Sequence, residues 1–135
     1  MSWDIFVMDL PADAATMDDI PQDFEGRVLM SRWALIEGIK QVVPDADFSD
    51  PTWGHIDGPD YSIEVNVGDD DPLTGFAFHV RGDGDTAAGI VAAILRHFGL
   101  RAVDSSSDTG LFDPESAVES LRHWRAYRDH VVGDP

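Results

Sequence analysis

Two stretches, residues 61–67 and 75–81, constrain this chain more than any other part of it. In the first, Tyr61, Ile63, Val65 and Val67 alternate with Ser62, Glu64 and Asn66. In the second, Phe76, Phe78 and Val80 alternate with Ala77, His79 and Arg81. A period of two puts the apolar set on one face of a sheet and the polar set on the other. Between them, Gly68-Asp69-Asp70-Asp71-Pro72-Leu73-Thr74 is turn chemistry. An antiparallel hairpin is expected, and the fold must bury its apolar face. With Val67 opposite Phe76, the register sets Glu64 opposite His79 and Ser62 opposite Arg81.

The remaining elements fall around this hairpin. Trp3, Ile5 and Val7 alternate with Phe6 and Met8, which predicts a strand central in its sheet or covered on both sides. Residues 11–30 carry Pro11, Pro21, Gly26 and five acids without clear periodicity, and are expected to form a long, acidic, mobile surface connection. Ser31 is a helix N-cap, and Leu35, Ile36, Ile39, Val42 and Val43 follow at helical spacing until Pro44. Residues 52–57 form a further strand. Asp83 or Asp85 starts a helix with Ala87, Ile90, Val91, Ile94 and Leu95 as its buried stripe, ended by Gly99. Residues 100–104 make a short strand, and 105–110 a polar turn. Leu111 and Phe112 pin the chain to the core. Asp113-Pro114 opens a last helix with Leu121, Trp124, Tyr127 and Val131 inward. The expected fold is α+β: one mixed or antiparallel sheet of about five strands with three helices, in the order β-α-β-β-β-α-β-α. A chain of 135 residues makes a single domain over 1–135.

Charge is the compositional outlier. Twenty-six acids against nine bases give −17, and Lys40 is the only lysine. Residues 1–71 hold 17 acids and 3 bases, a net of −14; residues 72–135 hold 9 acids and 6 bases, a net of −3. Such a balance excludes ordinary phosphate-driven nucleic-acid binding and adsorption to anionic lipid. It suits a basic partner steered to the acidic flank, a solubilising coat, or life in high salt. The absence of cysteine excludes disulfides, thiolate zinc sites and cysteine catalysis. The acidic opening Met-Ser-Trp-Asp-Ile-Phe-Val-Met-Asp-Leu lacks signal-peptide character, and no apolar run reaches membrane-spanning length; a cytoplasmic location is expected.

Several constellations bear on chemistry. The polar hairpin face, extended by His55 and Asp57 on the preceding strand, brings Glu64, Asn66, His79 and Arg81 within reach of one another. A carboxylate beside an imidazole equips general acid–base catalysis, with His79 as base and Arg81 as anion anchor. The plainer reading is charge pairing that sets register on a solvated face. Gly82-Asp83-Gly84-Asp85-Thr86-Ala87, with Asp104 beyond it, matches a loose dinucleotide fingerprint. Its carboxylates would repel a pyrophosphate, so the glycines read as turn and the aspartates as caps. Asp69-Asp70-Asp71 lacks the spacing of a calcium loop. Arg122, Arg125 and Arg128 beside Trp124 and Tyr127 share their helix with four acids; they suit internal ion pairs or a subunit contact in a homo-oligomer. The five histidines show no close pair at metal-ligand spacing, and no cofactor or metal is expected.

The chain resembles a family of small, uncharacterised acidic bacterial proteins. The likeness rests on Ser2-Trp3-Asp4-Ile5-Phe6-Val7, Ala46-Asp47-Phe48-Ser49-Asp50-Pro51 with Trp53-Gly54, Ser62-Ile63-Glu64-Val65-Asn66-Val67-Gly68, Phe76-Ala77-Phe78-His79-Val80-Arg81-Gly82 and Trp124-Arg125-Ala126-Tyr127-Arg128-Asp129. It implies a self-standing bacterial domain and carries no functional residues across. The preferred expectation is a non-enzymatic acidic protein, immunity- or antitoxin-like, that inhibits a basic protein. The alternative is a small enzyme or small-molecule binder using His55, Glu64, Asn66, His79 and Arg81.

Overall fold

A computed structural model describes residues 3–82, 85–104, 106–107 and 109–112. The strands are β1 (Trp3–Met8), β2 (Trp53–Asp57), β3 (Tyr61–Asn66), β4 (Gly75–Gly82), β5 (Arg101–Val103) and β6 (Leu111–Phe112). The helices are α1 (Arg32–Val42) and α2 (Asp85–Phe98). All six strands join one sheet in the order β2-β3-β4-β1-β5-β6, and every pairing is antiparallel.

The α+β class is as expected, and the strand count is corrected from about five to six. Leu111 and Phe112, expected only to pin the chain, pair with Val103 and Ala102 as a short edge strand. The third helix of the sequence reading, with Arg122, Arg125 and Arg128, lies outside the described residues, as does Asp83.

The hairpin register is the one the alternation dictates: Glu64 faces His79 and Ser62 faces Arg81. A one-residue slip would expose every apolar side chain of the strand, so burial fixes the register. Ile63, Val65, Phe78 and Val80 are buried together with Trp3, Ile5 and Val7 of β1. Leu35 and Ile39 of α1 and Val91, Ile94 and Leu95 of α2 complete the same core. Gly38 lets the two helices approach, since a Cβ there would run into the Phe98 ring.

Caps end these helices as the sequence suggests. The Ser31 hydroxyl accepts from Ala34 N at 3.1 Å. The Asp71 carboxylate accepts from Arg32 N at 3.1 Å, another amide that α1 itself leaves without a partner. At the end of α2, Gly99 has φ +68°, with Leu100 N bonded to Leu95 O and Gly99 N to Arg96 O. These two bonds are those of a Schellman motif.

The 11–30 connection is exposed over much of its length but is tied down. It contains a 3-10 turn at Met17–Asp19, closed by the Asp19 carboxylate on Ala15 N and Thr16 N. The Arg101 guanidinium donates to Pro11 O and Ala14 O, Met17 N bonds Thr109 O, and Met30 bridges Leu73. Segments without periodicity can still be held by backbone bonds, because such bonds need no side-chain pattern.

Candidate functional site

The sheet face opposite the core is built from the alternate residues of the same strands. Register across β2, β3, β4 and β1 lines up His55, Glu64, His79 and Asp4 in one row. The next row toward the Met8 end is Trp53, Asn66, Ala77 and Phe6, and the row on the other side is Asp57, Ser62 and Arg81. The five residues expected to form a site therefore do share one face.

Their contacts differ from those expected. Glu64 and His79 are directly opposed, yet neither bonds the other. The Arg81 guanidinium reaches diagonally to Glu64 Oε1 at 2.6 Å, and His79 Nδ1 lies 2.7 Å from Asp4 Oδ1 on the other neighbouring strand. A long guanidinium matches a carboxylate better than a short imidazole does at diagonal range, which leaves His79 to β1. Ser62 opposes Arg81 without bonding it. His55 is exposed at the outer end of its row. Asn66 is half-buried between Trp53 and Ala77.

Two members of this face escaped the sequence reading. Asp4 enters because β1 lies beside β4, a long-range pairing that alternation cannot reveal. Trp53 reaches from β2 over β3 and stacks on the His79 ring, with centroids 6.0 Å apart and planes 20° from parallel. A carboxylate only accepts, so His79 Nδ1 carries the hydrogen toward Asp4, and Nε2 is the acceptor of the neutral ring. Solvent reaches the group: side-chain exposures are 20% for His79 and 41% for Asp4. Among the described residues, no three His, Asp or Glu side chains are arranged to hold a metal ion.

A second feature lies at the end of the sheet where β1 finishes. Three loops meet there: the start and finish of the 9–31 connection, residues 50–52, and the β3–β4 turn. Arg27 N donates to Asp9 Oδ2 at 2.9 Å, Leu29 N to Leu73 O at 2.8 Å, and Leu73 N to Met30 O at 2.8 Å. Val67 N and Gly68 N both donate to Thr52 O, and Arg32 Nη2 donates to Asp69 O. These bonds bring together Asp9, Asp50, Asp69, Asp70 and Asp71, and the bases Arg27, Arg32 and Arg101, the last paired with Met8, lie at the same end. The opposite end carries acids as well: Asp57, Asp60, Asp85, the buried Asp104, and Asp18 and Asp19, whose turn is held against the β5–β6 connection by the bond from Met17 N to Thr109 O.

Further carboxylates are spent on loop structure. Hydrogen bonds from the Ser49 hydroxyl and amide lower the Asp47 pKa, and those from Thr52 lower that of Asp50; His55 adds a smaller effect to both. Asp104, which the loose fingerprint would place on a ribose, instead accepts from Trp3 Nε1 at 3.0 Å and from Ser106 N and Oγ. No described helix is long and apolar enough to cross a membrane. No family model matches the chain, and neither a curated protein nor a solved structure shows significant similarity to it.

Proposed function

We propose that this protein is an acidic binding module whose loop end docks and blocks a positively charged protein, in the manner of an immunity protein or antitoxin. One observation carries the reading: hydrogen bonds fasten three separate loops so that the five carboxylates of Asp9, Asp50, Asp69, Asp70 and Asp71 gather at one end of the sheet. Fixed like charges raise the local potential and steer a cationic partner before contact. The loops are held by backbone bonds, so little chain ordering opposes docking. In this reading the protein is a bacterial one, as the resemblance to small acidic bacterial proteins implies, and acts in the cytoplasm.

The test is association kinetics against basic proteins captured on the immobilised chain, measured from low to high salt. The on-rate falls steeply with ionic strength and falls again in the triple variant Asp69→Asn, Asp70→Asn, Asp71→Asn. A matching variant of Asp57, Asp60 and Asp85 leaves it nearly unchanged. Equal losses in the two variants would show a diffuse coat and end the docking reading.

A further inference from the structure

The outer sheet face carries a juxtaposition that docking does not use. His79 is restrained on two sides: Asp4 Oδ1 takes its Nδ1 hydrogen at 2.7 Å and Trp53 stacks on its ring, while Glu64, its cross-strand neighbour, is bonded to Arg81 at 2.6 Å instead. An imidazole oriented by a carboxylate through one nitrogen presents the other as a base of fixed direction. On a solvated surface an unrestrained histidine would rotate freely. Here both rotation and tautomer are set before any ligand arrives.

We propose that the outer face is a hydrolytic site for uncharged esters, with His79 as general base and Asp4 as its positioning residue. The surroundings select the substrate. Asp4, Glu64 and Asp57 disfavour an anion, and Arg81, the one cation in these rows among the described residues, is already paired with Glu64. Trp53 and the exposed Phe6 flank the Asn66–Ala77 pair in the adjacent row and offer apolar surface to the body of the substrate. In the reaction, His79 Nε2 takes a proton from water as the water oxygen adds to the ester carbonyl. The carbon–oxygen bond to the alcohol then breaks, and the imidazolium returns the proton to the departing oxygen. Ester and water are consumed, acid and alcohol are formed, and His79 is unchanged.

The probe is p-nitrophenyl acetate, with the full chain compared to free 4-methylimidazole at equal concentration. The expected rate exceeds that of the free imidazole by about 100-fold, the lower range of general-base catalysis. His79→Gln falls to the free-imidazole level. Asp4→Asn lowers kcat about tenfold with KM retained, and Asp4→Glu restores part of the loss, which a merely structural carboxylate would not do. Should a variant fail to fold, the unmutated chain still decides: stoichiometric diethyl pyrocarbonate mapped to His79 lowers hydrolysis to the same free-imidazole level. A wild-type rate no better than free imidazole, an undiminished rate in His79→Gln, or an undiminished rate after complete His79 modification overturns the proposal. Binding of a basic protein at the loop end is unaffected by His79→Gln, so failure here and failure of docking are read separately.

Discussion

Asp104 is withdrawn from water completely, the only buried charged side chain among the described residues. Its place is tolerable because the Trp3 indole and the Ser106 amide and hydroxyl all donate to it. Removing the acceptor strands the buried indole N–H, so Asp104→Ala should lower stability by about 2–3 kcal/mol in urea unfolding. Exposed aspartates act through pH instead. Hydrogen bonds lower the carboxyl pKa values of Asp19, Asp47 and Asp50 in the folded state. A lowered folded-state value means the unfolded chain binds protons first as pH falls. Their contribution is therefore complete above the ordinary aspartate range near 3.9 and drains away below it. The urea midpoint should drop from pH 5 to pH 3, and the drop should shrink in Asp47→Asn/Asp50→Asn. At this scale Glu64, Asn66, His79, Arg81 and His55 were legible as face-sharing residues, since parity alone sorts them. Asp4 and Trp53 were not, because one needs a distant strand and the other a side chain long enough to cross an intervening strand.

Elements were legible wherever local chemistry determines them. The Ser31 cap, the Gly99 terminator and the parity of β3 and β4 are written within a few residues, and the fold uses them so. The 3-10 turn and the ties of the 11–30 connection depend instead on Arg101, Thr109 and Leu73, far along the chain. Strand order and the β5–β6 pair are of the same kind, for two residues carry too little pattern to announce a strand. Gly82 shows how tightly one such joint is made. It ends β4 at φ +105°, and a Cβ there would collide with the backbone of Asp60 and Tyr61. Backbone cannot swing aside as a side chain can. Gly82→Ala should therefore cost about 2 kcal/mol or more, while Gly89→Ala, on α2 with open space around it, should be neutral or slightly stabilising. Thermal melts of the two variants separate loss of a special conformation from a general effect of added methyls.

For the molecule as a whole, the net charge of −17 opposes compaction through self-repulsion, and its placement decides whether that cost has a use. A coat serving solubility alone gains nothing from three loops bonded into one acidic end; charges spread evenly would repel less for the same solubility. The Asp69–Asp71 triple variant discriminates between these accounts because stability and association respond in opposite senses. Replacing three exposed carboxylates with amides relieves repulsion, while an amide oxygen at position 71 keeps an acceptor near Arg32 N. The urea midpoint at 50 mM KCl should stay level or rise, within about 0.5 kcal/mol, as surface changes ordinarily do. The wild-type midpoint should rise with salt and level off by a few hundred millimolar, where the Debye length falls below about 8 Å. Association with a basic partner should weaken over that same salt range and in the same variant. A wild-type chain that unfolds at 0.1 M KCl and folds only in molar salt would instead make the acids a salt adaptation, and the loop end would lose its claim as a docking surface.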